Sequence, residues 1–238
     1  MKLDILAIGV HPDDVELGCA GTLLKHIEKG HKVGICDLTK GQLGTRGTPE
    51  IRLQEAERSA KIMGAVVREN LGMQDGWFTH DKEHILSISK VIRKYKPEIV
   101  LANAKTDRHP DHGRAAKLIT EACFYSGLKA IKQESDGVIL ESWRPRAVYN
   151  YVQDRHLAAD FVVDITPYME KKIECILAFS TQFYNPADDK ANTPISSKSF
   201  LDLQYAKCRV YGRDIGVDYA EGFTVNRNMG VENILDLI

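Results

Sequence analysis

The sequence predicts an α/β fold in which a largely parallel sheet carries helices on both faces. Two observations point there. Apolar runs of strand length, such as residues 3–10 and 99–102, alternate with helically periodic segments of about a dozen residues. Such alternation builds βαβ units, whose right-handed crossovers set the strand C-terminal ends along one edge of the sheet.

Residues 3–10 read as the first buried strand. Residues 18–29 follow with Leu23, Leu24 and Ile27 on one helical face and Gly30 as a stop. A second strand over 32–38 leads into a glycine-bearing loop, 41–47, expected to border the active site. Its glycines do not match G-x-G-x-x-G and follow the second strand, which argues against a dinucleotide site. Thr48-Pro49 is a helix start, a capping hydroxyl followed by proline at the first helical position, and that helix should end near Gly64. Residues 66–71 predict a third strand. Residues 83–95 predict a helix with Ile85, Ile88, Val91 and Ile92 on one face, and 98–103 a fourth strand. A helix over 113–125, strands over 147–152 and 161–165, and a helix over 167–180 come next. Residues 184–199 read as a long loop with two prolines, and 200–211 as a last helix before a less regular tail.

No repeat, low-complexity segment or linker divides the 238 residues, so one domain over residues 1–238 is expected. The chain is 43% hydrophobic and 27% charged, and its net charge of -1 provides no overall field for nucleic acid or anionic lipid. No apolar run approaches the roughly 20 residues of a membrane span, and no signal-peptide pattern opens the chain. The expectation is a cytoplasmic protein with neither nucleic-acid nor membrane partners. The five cysteines are odd in number, lack a C-x-x-C pair, and are expected to be buried free thiols.

Two clusters carry the chemistry. His11-Pro12-Asp13-Asp14-Val15-Glu16 follows the first strand, and Arg108-His109-Pro110-Asp111-His112 follows the fourth. In each, ligand-type side chains three residues apart share a face if the segment turns into a helix: His11 with Asp14, His109 with His112. Two histidines and one carboxylate meet the ligand count of a catalytic zinc, with one position left for water. A single aspartate here is an ordinary helix cap, and His-Pro-Asp alone an ordinary turn. Two such clusters at one sheet edge, however, gather ionisable groups that repel and lose solvation unless a cation joins them. The same donor count also suits the facial triad of a non-haem iron oxygenase, against which the α/β alternation argues. Spacing does not fix which aspartate or which histidine binds.

At these residues the sequence resembles the PIG-L/LmbE family of zinc-dependent N-acetylglucosaminyl deacetylases, over essentially its whole length. The resemblance implies a Rossmann-like three-layer sandwich and one zinc ion per subunit held by His11, Asp14 and His112. It implies Asp13 as general base, His109 as a protonated stabiliser of the oxyanion, and Asp111 as the carboxylate that orients a histidine. Arg52 matches an arginine used at the site. The substrate implied is a small N-acetylglucosamine conjugate. The segments 41–48, 180–183 and 219–223 further resemble the branch that deacetylates N-acetylglucosaminyl malate in bacillithiol biosynthesis. For a dicarboxylate aglycone, Arg46, Arg52, Lys105 and Arg108 are the cationic candidates. Other N-acetylglucosamine substrates, such as a chito-oligosaccharide, an inositol glycoside or a mercapturic conjugate, are the competing enzyme readings. A non-catalytic sugar-binding protein is the competing class, but it needs no base beside its ligands. Family members form homo-oligomers, hexamers among them, and a homo-oligomer is expected.

Overall fold

Alternate residues of a strand face opposite layers, and the central strands are apolar at both sets of positions. In the computed structural model, which describes residues 1–187 and 193–237, β1 (Ile5–Gly9) sends Leu6 and Ile8 into one core and Ile5 and Ala7 into the other. The chain continues through α1 (Asp14–Glu28), β2 (Val33–Thr39), α2 (Pro49–Met63), β3 (Val67–Met73), α3 (Lys82–Tyr95), β4 (Ile99–Ala102) and α4 (Pro110–Ser126). A small hairpin, β5 (Gln133–Ser135) and β6 (Val138–Leu140), precedes β7 (Ala147–Tyr151) and β8 (Phe161–Asp164). After a 3-10 turn at Thr166–Tyr168 come α5 (Met169–Leu177), α6 (Lys198–Asp214) and β9 (Ala220–Val225).

The main sheet has the order β3-β2-β1-β4-β7-β9-β8. Its pairs from β3 to β7 are parallel, while β9 runs antiparallel to both neighbours. Helices α3 and α4 cover one face through Ile88, Ile92, Leu118 and Ile119. Helices α1, α2 and α5 cover the other through Leu23, Met63 and Cys175. The chain is thus the three-layer α/β sandwich expected. From β1 it moves outward to β2 and later returns on the other side to β4, so the gap between β1 and β4 is the topological switch point where such sheets bind ligands.

Helix α2 has the expected bounds: the Thr48 hydroxyl accepts the Ile51 amide at 3.3 Å, and Gly64 turns left-handed at φ 88°. The expected helix over 167–180 is instead the 3-10 turn followed by α5, which stops at Leu177. The expected loop over 184–199 partly holds, though residues 188–192 lie outside the described residues. All five cysteines are free and buried. Among the described residues no helix is long and apolar enough to cross a membrane.

Two departures shape the site. The expected irregular tail holds β9, inserted between β7 and β8. Helix α1 starts four residues earlier than expected, at Asp14, and breaks at Cys19 (φ -149°, ψ 15°). The break is filled from β9 and α5. The Glu221 carboxylate accepts the amides of Gly21 at 3.0 Å and Thr22 at 2.7 Å, capping the second half of α1. Lys172 donates to Glu221 at 2.6 Å and to the Leu17 carbonyl at 2.9 Å. Burial disfavours the Lys172 charge, yet Glu221 outweighs it and the lysine pKa is raised. Glu221→Ala strands a buried ammonium and two amides, and should cost about 3–5 kcal/mol in urea unfolding. A loss below about 1 kcal/mol would mean that Lys172 is not held by this pair.

Candidate active site

Each parallel strand contributes the loop after its C-terminal end. β1 supplies His11, Asp13 and Asp14, and β2 the loop with Leu43, Gly44 and Thr45. β3 supplies Asp75, β4 the residues from Asp107 to His112, and β7 Gln153. With Phe200, Gln204 and Lys207 of α6, most of these line one cleft of about 250 Å³.

Asp14 lies at its floor. One oxygen, Oδ2, accepts the amides of Val10 (2.9 Å) and His11 (3.0 Å) and Asn103 Nδ2 (2.9 Å). The other, Oδ1, accepts Gln153 Nε2 at 3.1 Å and faces His112 Nε2 at 3.2 Å. His11 Nδ1 is 3.7 Å from Oδ2. Both imidazoles are anchored through their other nitrogen: His11 Nε2 pairs with Asp75 Oδ1 at 2.9 Å, and His112 Nδ1 with Asp107 Oδ2 at 2.5 Å. A histidine held by a carboxylate on its far side presents its second nitrogen to a metal.

The donor chemistry fits a divalent metal. One ring nitrogen each of His11 and His112 converges on the Asp14 carboxylate, an arrangement that needs a shared proton or a cation. Ligand atoms of His11, His109 and His112 also lie within 4.8 Å of one another. Burial alone would lower His11, but hydrogen bonds to Asp14 and Asp75 raise it to about 9. Burial likewise opposes the His112 charge, while Asp14 and Asp107 raise it to about 10. Burial pushes Asp14 upward, but His112 and His11 outweigh it and hold the carboxyl well below its ordinary value.

Asp13 is different. It caps α1 with φ at 137°, a conformation that non-glycine residues rarely adopt. Arg52 braces it: Nη2 donates to Asp13 Oδ2 at 2.9 Å and to the Pro12 carbonyl at 2.8 Å. A Cβ on Gly41 would come within 1.8 Å of Arg52 Nη1, so the glycine loop makes room for this arginine. Burial raises Asp13 to about 7, with Arg52 lowering it and Asp14 raising it further.

His109 accepts the Asp111 amide on Nδ1 at 3.3 Å. Its proton therefore sits on Nε2, and burial and the charges of His11 and His112 lower its pKa. The orienting carboxylates are Asp75 and Asp107. Asp111, expected in that role, accepts the Gly76 amide at 2.9 Å and Arg114 at 3.0 Å, and lies 3.8 Å from His11 Nε2. Arg108 lines the cleft paired with Asp154, and Lys105 donates to the Val225 carbonyl. Arg46 is buried and is not among the lining residues; its carbonyl accepts Gln182, which is. The sequence reading missed Asp75, Asp107, Asn103, Gln153 and Lys207. Asp107 alone had a local signal, one residue before the second cluster.

Fold and donor set together fit a metal-dependent enzyme with its site at the strand C-terminal edge. Residues 6–123 match the PIG-L family, described as GlcNAc-PI de-N-acetylase. The chain is 32% identical over 189 residues to the diacetylchitobiose deacetylase of Thermococcus kodakarensis, covering 75% of this chain and 70% of that protein. It is 26% identical over 199 residues to a probable N-acetyl-alpha-D-glucosaminyl L-malate deacetylase 2 of Bacillus subtilis, covering 76% and 84%. The solved structure of the conserved protein TT1542 from Thermus thermophilus superposes with a TM-score of 0.83 at 33% identity, covering 97% of this chain and 98% of that one. The chain belongs to the PIG-L family of deacetylases.

If His11 and His112 are ligands, binding a metal must displace their protons, and their metal-free values are about 9 and about 10. Apparent affinity should therefore rise with pH, by up to about tenfold per unit for each imidazole that must lose a proton, and weaken as pH falls. Chelator competition at several pH values checks this; a flat profile would exclude these imidazoles as the ligands.

Proposed function

We propose that the chain, working as one domain over residues 1–238, hydrolyses the N-acetyl group of an N-acetylglucosamine conjugate with a zinc ion held by His11, Asp14 and His112. The observation that carries this reading is Asp13. It is a second buried carboxylate beside the metal ligands, braced by Arg52 and raised to about 7, so it can both take and return a proton near neutral pH. A protein that only bound sugar through a metal has no use for such a group.

When bound, zinc supplies Lewis acidity and brings the pKa of water at the site to about 7. Asp13 accepts the proton of the attacking water as its oxygen adds to the acetamide carbonyl. His109 donates its Nε2 hydrogen to the developing oxyanion. Arg52 keeps the Asp13 oxygen aimed and keeps Asp13 in its strained backbone geometry. As the C–N bond breaks, Asp13 returns the proton to the nitrogen, and acetate and free amine leave.

For the remainder of the substrate we favour an uncharged saccharide of the diacetylchitobiose kind over malate. Among the described residues lining the cleft, Arg52 and Arg108 already face Asp13 and Asp154. Lys207 alone has no carboxylate partner; it donates to the Gln153 carbonyl, and burial lowers its pKa to about 8. One cation matches poorly to two carboxylates. The identity of 32% to a diacetylchitobiose deacetylase supports the same choice. Lys207 and Arg108 together are what favours the malate glycoside as the second reading.

Asp13→Asn should retain zinc while losing roughly 10²–10⁴-fold in kcat. Loss of metal from that variant would instead exchange the roles of the two aspartates. In an acetate-release assay with metal-analysed protein, diacetylchitobiose should exceed N-acetylglucosaminyl malate in kcat/KM by at least about tenfold, the effect of one unmatched charge. The reverse order would establish the malate glycoside. Activity on both surviving complete metal removal would sink the metal mechanism.

A further inference from the structure

Helix α6 forms one wall of the cleft. Phe200, Gln204 and Lys207 recur at helical spacing, so a single face of the helix lines the site. That face is held firmly. Ser197 caps the helix by accepting the Phe200 amide at 3.1 Å. The Phe200 ring lies nearly parallel to that of Phe183, with 6.1 Å between centroids. Just before the cap, Thr193 donates its amide to Ser196 Oγ at 2.8 Å and also lines the cleft.

Two polar atoms on this wall are buried without a hydrogen-bond partner among the described residues, Gln204 Oε1 and Thr193 Oγ1. Gln204 as a whole is only 2% exposed. Its Nε2 lies 3.4 Å from the Phe200 carbonyl, which repels an oxygen and attracts a donor, so the amide oxygen is the end left over. Gln153, also in the cleft, is fully engaged by contrast: it donates to Asp14 and accepts Asn103 Nδ2 and the Ala104 amide. Nor does Lys207 supply the missing donor, because it donates to the Gln153 carbonyl. A buried acceptor with no donor is costly, and that cost is recovered when a donor arrives. At this wall the donor must come from whatever fills the cleft.

We propose that Gln204 is a specificity-determining residue whose Oε1 accepts a hydrogen bond from a ring hydroxyl of the saccharide, with Thr193 Oγ1 extending the same neutral wall. The proposal rests on the saccharide deacetylase reading above. An amide oxygen only accepts, so it suits a group that has a hydrogen to give. A sugar hydroxyl has one, and an ionised carboxylate has none. A site of this kind rejects an analogue that lacks the hydroxyl, because the buried acceptor is then stranded again.

Acetate release by the metal-loaded full chain tests this, with diacetylchitobiose and its single-deoxy analogues as substrates. For the wild type, one analogue should fall at least about tenfold in kcat/KM below the parent sugar. Gln204→Leu should lose a similar factor on the parent sugar, chiefly through KM, and should no longer discriminate that analogue from it. Gln204→Met, of the same length and unbranched, should behave alike and guards against a poor fit of leucine. Neither variant should lower the thermal melt, since the oxygen removed has no partner in the free protein. An equal deoxygenation penalty in wild type and variants overturns the proposal, as does a wild type indifferent to every analogue. A lowered melt with kcat/KM unchanged makes Gln204 structural and overturns it too. No wild-type turnover of diacetylchitobiose at all sinks the saccharide reading and the subsite with it, whereas turnover without Gln204-dependent discrimination sinks the subsite alone.

Discussion

The buried negative charge of Asp14 is the constraint on which the site is built. A carboxylate removed from water is tolerated only when donors replace its solvation. Here they come from the end of β1 through the amides of Val10 and His11, from Asn103 after β4, and from Gln153 after β7. His112 adds the first turn of α4. One side chain therefore ties three strand ends and a helix start into fixed relation. Gln153 and Asn103 also bond each other at 2.9 Å, so the donors brace one another as well as the acceptor.

Strain at the neighbouring residue follows from the same geometry. If the amides of Val10 and His11 are to reach Asp14, the chain must reverse sharply before α1, and Asp13 absorbs that reversal at φ 137°. A sparsely populated backbone state costs on the order of 1–3 kcal/mol and persists only where its surroundings hold it. Arg52 does so through the Pro12 carbonyl and the Asp13 carboxylate, while Gly41 leaves the space that Arg52 occupies. The glycine loop is thus tied to the turn at Asp13 by steric need, although nothing in its spacing says so.

Much of this was legible because its causes are local. Thr48, Pro49 and Gly64 delimit α2 by capping chemistry, and the central strands announce themselves by apolar continuity. The two clusters stood out because ligand-type residues recur three apart after strands. What stayed hidden depends on distant partners. The break in α1 is stabilised by Glu221, about two hundred residues away, and a glutamate and a glycine inside β9 disguised that strand as tail. Asp75, Asn103 and Gln153 each sit alone in their loops and gain meaning only when the sheet gathers them. The β5–β6 hairpin is a different case: Asp136-Gly137, at φ 52° and 76°, is an Asp-Gly turn signal that the sequence did offer.

Adjacent in sequence and both buried, Asp13 and Asp14 are pushed in opposite directions because their donors differ. Asp14 has two backbone amides, two side-chain amides and two imidazoles, and stays ionised. Asp13 has a single arginine against full burial and the repulsion of Asp14, and its proton is held near neutrality. Environments that separate two titratable groups in this way suit them to different chemistry, which is the basis of the proposal that Asp14 serves as a ligand and Asp13 exchanges protons. The division does not come from residue type, since both are aspartates, nor from position, since they are neighbours. It comes from the reversal at Asp13, which points one carboxylate into the converging strand ends and the other toward α2.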